Sequence, residues 1–546
     1  MGLDLLSKPA GLVGLGERIH AENDWRSVEP GTSLFISGSV PDLMVGNCEW
    51  SVSDQETLTI RVPTPNSQDT SVADVKPRLP LRTKITWALG SLGDNYAGNT
   101  ITQLKDPVYT VALGVSPELV GWALSVPRLL DAFFDPVVGF WSDNWRGRWG
   151  RRRPFIFVGA IGLGLTMAML WLPPSDRGWS HLALAAYFLV TTMLFYAAYS
   201  IFLVPYRALG LELTSDYHER TRLQGWGMIV GLVGGLGLPW LYKLTLVLGG
   251  GIGVGTDAAA TSDAILAGAR WVGGGVGLLI LLTCLVPAIG CRETRVRTAP
   301  GKLGIFRAIT MTVRNRPFLH MLGMNFCATV GMFSPVTVSL LVGIYYLFQG
   351  DQNSAANLAG AMGMVQMAGS LAGVPVNTAV SVRVGKRLSA LLSLGVGAVG
   401  FLSLWWTLLP SHPYWSLASG FLIGWGMQGV WLMSATMNAD VCDSDELETG
   451  HRREGLYGAV FALEQKVAFA VAAVLGGYLV SRCGYVTSQI PTETTLLELR
   501  TTLIVTPVVG IGLAAASIAF YPLSRLRLLE IQSLLQARRP PKDPLD

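Results

Sequence analysis

Two carboxylates lie four residues apart inside an apolar stretch of the chain. Asp131 and Asp135 belong to residues 121–141, a segment that is otherwise almost wholly apolar. Residues four apart share one face of a helix, with Cβ atoms about 5–6 Å apart, so this pair can hold one cation or proton. A carboxylate at membrane depth costs about 2.5–3.5 kcal/mol, so two of them in adjacent turns indicate a functional or a structural role. The structural alternative is that Arg128, one turn earlier, neutralises the pair.

A carboxylate and an amide interrupt an earlier apolar stretch. Asp94 and Asn95 lie well inside residues 86–112. An ionised carboxylate accepts strong, directional hydrogen bonds from hydroxyl groups, so Asp94 is a candidate solute acceptor or coupling carboxylate. In the alternative interpretation, Asp94 is the buried partner of Lys105 or Arg128.

Two positive charges lie in or at the edge of other apolar stretches. Arg207 comes near the end of residues 181–209, and Lys466 lies within residues 456–481. A lysine at membrane depth can compete with a cation for carboxylates, which makes Lys466 a candidate coupling residue. Glu464 is a poor partner for it, because residues two apart point to different helix faces. A lock of Lys466 onto Asp440 or onto a neighbouring helix is the alternative.

A dense basic loop follows the carboxylate pair. The chain runs Gly139-Phe-Trp-Ser-Asp143 and then Arg148-Trp-Gly150-Arg151-Arg152-Arg153. We interpret this loop as a conformational latch, whose arginines pair with Asp143 and with helix C-termini when that side of the protein is closed. A partial echo, Arg383-Val-Gly385-Lys386-Arg387, follows the eighth apolar stretch but has no carboxylate in the place of Asp143.

Composition and hydropathy place these residues in a membrane protein. The chain has 546 residues, of which 50% are hydrophobic and 14% charged, with a mean hydropathy of +0.42. Soluble proteins have about a quarter of their residues charged. Taking about 20 apolar residues as one span, we predict an all-α protein with twelve transmembrane helices, near residues 86–112, 117–141, 154–173, 181–209, 224–248, 270–290, 317–348, 356–381, 388–410, 413–438, 456–481 and 501–523.

The distribution of charge divides the chain and orients it. A basic middle connection, residues 292–316, separates two six-helix bundles, residues 81–291 and 317–523. Lysine and arginine concentrate on alternate connections, which places both termini and the tail, residues 524–546, in the cytoplasm of a multi-pass cell-membrane protein. We expect a monomer in the lipid bilayer.

Residues 1–80 form a polar extension of different character. Two alternating stretches, residues 32–37 and 56–62, have the pattern of strands that could pair. The favoured interpretation is nevertheless a disordered extension, or a start codon assigned too early.

Other functional classes find little support. The six cysteines have no metal-ligand spacing, the six histidines are scattered, and no P-loop, HExxH or GxSxG motif occurs. We expect no cofactor, no metal beyond a possible Na⁺, and no nucleic-acid partner. A membrane enzyme would need a convergent acid–base constellation. A sensor or scaffold would bind solute without moving it.

Three segments resemble the glycoside–pentoside–hexuronide cation symporters, the melibiose-carrier branch of the major facilitator superfamily. They are residues 131–156, residues 205–222 (from Pro205-Tyr-Arg207-Ala-Leu to Glu219-Arg220-Thr-Arg222) and residues 438–457. The end of the first segment also resembles the proton-coupled sucrose carriers. The resemblance implies two bundles that rock about a midplane site. It also implies coupled transport of a sugar or glycoside, and it does not cover residues 1–80.

The resemblance assigns roles to residues on both halves of the chain. It implies that Lys466 lies near the cation site and that Ser200 supplies a hydroxyl there. We therefore predict a coupling set and a substrate set. The coupling set is Asp131, Asp135, Asp94, Ser200 and Lys466, and the substrate set is Asp94, Asn95, Arg128, Arg207 and Lys466.

Departures from the family pattern limit what it implies. Phe134 takes the place of an asparagine of the melibiose carriers. Melibiose carriers bind galactoside with an acid and a tryptophan, and this chain has Leu203 and Arg207 at those positions. Sodium needs several hard oxygen ligands, whereas a proton needs one suitable carboxylate, so H⁺ is favoured over Na⁺. The solute stays open, with a non-sugar amphiphile or an organic anion as the alternative.

Overall fold

The computed structural model describes residues 33–37, 49–53, 57–61, 79–174, 178–214, 216–251, 258–293, 312, 315–487 and 489–538. The chain divides into two compact units, Met1–Arg78 and Leu79–Asp546.

A small antiparallel sheet occupies the first unit. Its strands are β1 (Ser33–Ser37), β2 (Glu49–Ser53) and β3 (Thr57–Arg61), in the order β1-β3-β2. The two stretches with a strand pattern do pair, with Ser33 opposite Arg61 and Ser37 opposite Thr57. The prediction of disorder is therefore wrong for these strands, because β3 satisfies backbone groups of both neighbours. The rest of residues 1–78 lies outside the described residues.

The second unit is helical. Its helices are α1 (Leu81–Lys105), α2 (Pro117–Asn144), α3 (Arg153–Leu170), α4 (His181–Glu212), α5 (Tyr217–Gly235), α6 (Leu241–Leu248), α7 (Ala258–Gly290), α8 (Arg316–Phe333), α9 (Val336–Leu341), α10 (Gln352–Val384), α11 (Lys386–Thr407), α12 (Ser416–Thr449), α13 (Glu454–Arg482), α14 (Glu493–Ala519) and α15 (Arg525–Arg538). Wider π-helical turns, Asp106–Ala112 and Val342–Leu347, extend α1 and α9. Single-turn 3₁₀ segments precede α6 and α12.

Nine helical segments of the described residues are long and apolar enough to cross a membrane. Three further helices, α1, α2 and α12, have 25, 28 and 34 residues but carry more charged and polar side chains. All twelve lie where spans were predicted, so the all-α membrane fold is confirmed for the second unit. The predicted tail contains a helix, α15, and most of residues 292–316 lie outside the described residues.

Close packing of α2 against α13 joins the two bundles and positions the candidate site. A Cβ added at Gly121 would lie 2.6 Å from the carbonyl oxygen of Ala473, and one at Gly477 would lie 2.3 Å from that of Pro117. Small residues permit this approach of helix backbones. Within α2, Pro127 and Pro136 flank the carboxylate pair, and each removes one backbone donor from the helix.

Candidate functional site

One ammonium group bridges the two carboxylates of α2. The Nζ atom of Lys466, on α13, lies 2.6 Å from Oδ2 of Asp131 and 2.6 Å from Oδ2 of Asp135. Ser200, on α4, donates a hydrogen bond to the other oxygen of Asp131. Asp131 is 4% exposed, whereas the side chain of Asp135 is 34% exposed. Four of the five predicted coupling residues, from both bundles, therefore meet, whereas Asp94 does not join them. Their role in coupling stays a prediction.

Of the alternative partners named for this cluster, Arg128 and Asp440 do not contact it, whereas Lys466 does bind a neighbouring helix, α2. Arg128 does not pair with the carboxylates, because its Nε donates to the Tyr196 hydroxyl at 2.5 Å and its guanidinium lies 5.5 Å from the centre of the Phe469 ring. Lys466 does not lock onto Asp440, because Asp440 binds Lys386 at 2.6 Å.

A cavity of about 890 Å³ lies between the bundles, close to the carboxylate cluster. Three predicted substrate residues, Asp94, Asn95 and Arg207, line it. Arg128 and Lys466 do not, because their side chains are engaged with Tyr196 and with the α2 carboxylates. Their contact with substrate stays a prediction.

Asp94 has partners that the sequence did not suggest. The Tyr199 hydroxyl donates to its Oδ1 at 2.6 Å, and Nη2 of Arg207 lies 3.9 Å from its Oδ2. The alternative interpretation, in which Asp94 pairs with Lys105 or Arg128, is wrong, since Lys105 binds the adjacent Asp106 at 2.5 Å and Arg128 donates to Tyr196. The Arg207 side chain is 68% exposed, so most of its donors remain available in the cavity.

Helix α4 connects the cavity with the carboxylate cluster. Tyr199 binds Asp94 in the cavity wall, and the next residue, Ser200, binds Asp131. Displacement of the Tyr199 hydroxyl from Asp94 would therefore act one residue away from Ser200, which binds Asp131.

The second bundle contributes a largely uncharged wall to the cavity. Ser370 and Val374 of α10 and Gln428 of α12 face it. None of these residues was predicted. Gln428 carried a usable signal, because it is a lone amide in an apolar run.

The bundles join on the side opposite to the basic loops. Lys105 Nζ donates to Thr337 Oγ1 at 3.0 Å, and that hydroxyl donates to Asp106 at 2.9 Å. Nearby, Tyr242 donates to Gln352 at 3.1 Å. The cavity-lining residues of α4 and α5 lie in the parts of these spans nearer the basic loops, whereas Gly98, Asn99 and Gln428 lie beyond the middle of α1 and α12.

The predicted latch arginines have the predicted kinds of partner. Arg152 lies 3.2 Å from Asp143 and 2.9 Å from Glu212, and Arg151 lies 2.6 Å from Glu212. Burial lowers the pKa of Arg152 below its usual value, an effect that Glu212 and Asp143 oppose. Arg153 donates to the carbonyl oxygen of Ala288 at 2.6 Å, near the C-terminus of α7.

Glu293 completes this loop and was missed by sequence reasoning. Its carboxylate accepts from the backbone N–H groups of Arg151, Arg152 and Arg153 at 2.7, 2.7 and 3.0 Å. Gly150 has φ +105°, and a Cβ there would lie 2.7 Å from the Glu293 carboxylate, so glycine is required.

Two other members of the predicted latch show no such constraint. Arg148 is exposed, and a Cβ at Gly139 would meet Val204 at an ordinary 3.7 Å. The contacts of this loop described above join it to the first bundle and to Glu293, at the start of the middle connection. A latch function stays a prediction.

Comparison with known proteins agrees with this geometry. A family model described as MFS/sugar transport protein matches residues 86–525. The glucuronide carrier protein homolog of Escherichia coli (strain K12) is 26% identical over 461 residues, covering 83% of this chain and 95% of the relative. The putative sulfoquinovose importer of Salmonella typhimurium (strain LT2) is 27% identical over 481 residues, covering 85% and 94%.

The fold also matches that of solved transporters. The crystal structure of a D-xylose-proton symporter aligns with a TM-score of 0.52 at 13% identity, covering 79% of this chain and 96% of the other. The family match runs from α1 to the start of α15 and includes every residue of the carboxylate cluster. The chain therefore belongs to the MFS/sugar transport family and, within it, to the glycoside–pentoside–hexuronide symporters.

Proposed function

We propose that this protein is a cation-coupled secondary symporter of a sugar or glycoside that works by alternating access. The observation that carries the proposal is the shared contact of Lys466 with Asp131 and Asp135, beside a cavity between the bundles. The relatives are named as carriers and importers rather than enzymes, which supports transport.

The basic loops support an orientation for this transporter. Under the positive-inside rule they lie in the cytoplasm, together with both termini. The cavity then opens inward, and the contacts of Lys105, Asp106 and Thr337 close the outer side.

Charge balance gives a mechanism for coupling. Two carboxylates and one ammonium leave the cluster with one net negative charge, which is costly at membrane depth. One proton or one Na⁺ would neutralise it and permit the bundles to rock. Among the described contacts, the cluster offers carboxylate oxygens and one hydroxyl but no amide oxygen, so H⁺ is favoured over Na⁺. Lys466 holds the carboxylates together after the ion has left.

The cavity also favours a class of solute. Arg207 presents exposed guanidinium donors beside Asp94, which accepts hydroxyl groups. Guanidinium binds carboxylate and sulfonate groups with charge-assisted hydrogen bonds. An acidic sugar or glycoside therefore fits the site, in agreement with the names of the two relatives. An organic anion without a sugar ring is the second candidate, because Arg207 would bind its negative charge in the same way.

Uptake into proteoliposomes tests the proposal. Purified protein would be offered radiolabelled glucuronide, sulfoquinovose and a neutral pentoside under an imposed proton or sodium gradient. We expect the acidic sugars to accumulate under the proton gradient. Accumulation that follows sodium without pH dependence would contradict the choice of ion, and no accumulation under either gradient would contradict symport.

A further inference from the structure

Another carboxylate, Glu464, lies within a membrane span of the second bundle and outside the cluster described above. Glu464 is on α13, two residues before Lys466, and the two side chains point in different directions. Lys466 contacts α2 of the first bundle, whereas Glu464 contacts Asn325 of α8.

Among the described residues, Glu464 has a hydrogen-bond donor but no counter-ion. Asn325 Nδ2 donates to its Oε2 at 2.8 Å, and Asn325 is itself fully buried. The second oxygen, Oε1, is buried and has no hydrogen-bond partner. In the part of the chain that the structure describes, no lysine, arginine or histidine forms an ion pair with Glu464.

The other groups around Glu464 offer no positive charge. The thiol of Cys327 on α8 interacts electrostatically with this carboxyl group. A protonated thiol is neutral, so Cys327 provides no positive charge. On α12, Ser434 donates to Asn325 Oδ1 at 3.3 Å, and Asp440 is engaged with Lys386. On α2, the facing carboxylates are held by Lys466.

A carboxylate in this position would be an unpaired buried charge, which proteins avoid by taking up a proton. Asn325 suits both protonation states without turning over. Its amide N–H donates to Oε2 of Glu464, which can be an oxygen of the carboxylate or the carbonyl oxygen of the protonated acid, whose proton then lies on Oε1. The amide oxygen accepts from Ser434, which fits this orientation of the amide.

We infer that Glu464 is a second proton-binding site, which is loaded in this inward-open arrangement and exchanges its proton during transport. The presence of the proton does not depend on what the protein transports. Its coupling to solute rests on the proposed function. Since α13 carries both Lys466 and Glu464, movement of this helix between the bundles would change the surroundings of both groups together.

Infrared spectroscopy of the purified protein in lipid membranes tests the site without solute or gradient. At neutral pH, Glu464→Gln should remove the C=O band of a protonated carboxylic acid, and in the unmodified protein this band should disappear as the pH is raised. The control is Asp440→Asn, which removes a buried but paired carboxylate and should leave the band unchanged. A band that E464Q leaves intact, or one that persists at every alkaline pH, would overturn the inference.

A second variant guards against misfolding of the first. Asn325→Leu keeps Glu464 but removes its hydrogen-bond donor, so the same band should shift to higher frequency. No shift would mean that the band arises elsewhere, which would also overturn the inference.

Proton counting then tests coupling. In proteoliposomes, E464Q should move fewer protons per solute than the unmodified protein while exchange continues. An unchanged proton-to-solute ratio would contradict the exchange of this proton during transport. If no solute were taken up by the unmodified protein, the proposed function would fail, while the infrared result would still decide the site.

Discussion

The basic loop after α2 and the short basic turn between α10 and α11 occupy matching places in the two bundles. In the first bundle, Arg153 donates to a carbonyl oxygen near the end of α7, and Arg152 binds Glu212 at the end of α4. In the second bundle, Arg387 donates to the carbonyl oxygen of Ala519 at the end of α14, and Lys386 binds Asp440 on α12. The sequence echo therefore corresponds to a repeated set of contacts.

The two loops differ in how they are reinforced. Only the first has the Glu293 carboxylate on three successive backbone N–H groups, and only the first has Asp143. The second is tied instead by Arg525 of α15, which donates to the carbonyl oxygen of Arg383 at 2.8 Å. Each loop joins helix ends of its own bundle and is tied further by the segment that follows that bundle, which fits movement of each bundle as a rigid body. The carboxylate cluster is less evenly divided between the bundles. The first bundle provides both carboxylates and the Ser200 hydroxyl, and the second provides Lys466.

The largest effect on transport is expected from the carboxylates of the first bundle that bind Lys466 of the second. Asp135→Asn, and separately Asp131→Asn, should reduce gradient-driven accumulation by at least about tenfold, equivalent to about 1.4 kcal/mol, because the cluster can no longer change its charge by binding a cation. Exchange of solute without a gradient should continue. Uptake and exchange in the same proteoliposomes measure both.

Asp440→Asn is the matched control in the second bundle. It also removes a carboxylate bound to a lysine, but in a structural tie, so it should lower thermal stability and leave the coupling ratio unchanged. Normal accumulation by both α2 variants would mean that the cluster is structural as well.

The next effect concerns the charged wall of the cavity. Arg207→Ala should weaken binding of an acidic sugar by about 1.5–3 kcal/mol, the worth of a hydrogen bond to a charged group. Binding of a neutral sugar should change far less. Binding titrations of both solutes measure this, with Arg207→Lys as a control that keeps the charge and loses the planar fork. Equal losses for both solutes would show that Arg207 acts on the structure of the cavity.

Substitution of one glycine in each basic loop compares the two loops on a smaller scale. Gly150 and Gly385 have φ +105° and +90°, so alanine at either should cost about 1–3 kcal/mol of backbone strain. At Gly150 the added Cβ would also lie 2.7 Å from Glu293, whereas at Gly385 the nearest atom is 3.6 Å away. Gly150→Ala should therefore lower the melting temperature more than Gly385→Ala. Equal shifts would mean that Glu293 moves aside at little cost.

The smallest effect should come from Glu293 itself. Glu293→Gln removes the charge from three N–H contacts and makes the first loop more like the second, at a cost of about 1 kcal/mol. Added salt should reduce the difference between variant and unmodified protein, because it weakens partly exposed charge interactions. Melting curves at low and high salt measure this. A difference that does not depend on salt would point to lost packing.

Local patterns in the sequence were enough to predict most of the architecture. Apolar runs located the helices, because membrane spans bury their backbone hydrogen bonds within one segment. The spacing of Asp131 and Asp135 placed both carboxylates on one face of α2, and the Gly-Arg pattern marked the first basic loop. The small sheet before α1 was the less favoured interpretation, because its strands are short and lie in a polar segment.

The pairing of the latch arginines with Asp143 was predicted from the sequence, but most other partners of the charged residues were decided by tertiary structure. Lys466 reaches Asp135 across 331 positions, Arg151 meets Glu293 across 142, and Arg128 is held by Tyr196, 68 positions away. Local periodicity says which face of its own helix a side chain occupies, but not which helix packs there. That choice depends on how α2, α4 and α13 fit against one another, where glycines such as Gly121 and Gly477 permit contact. Residue types and spacing therefore determined which groups could carry charge in the membrane, and packing between distant helices determined which of them meet.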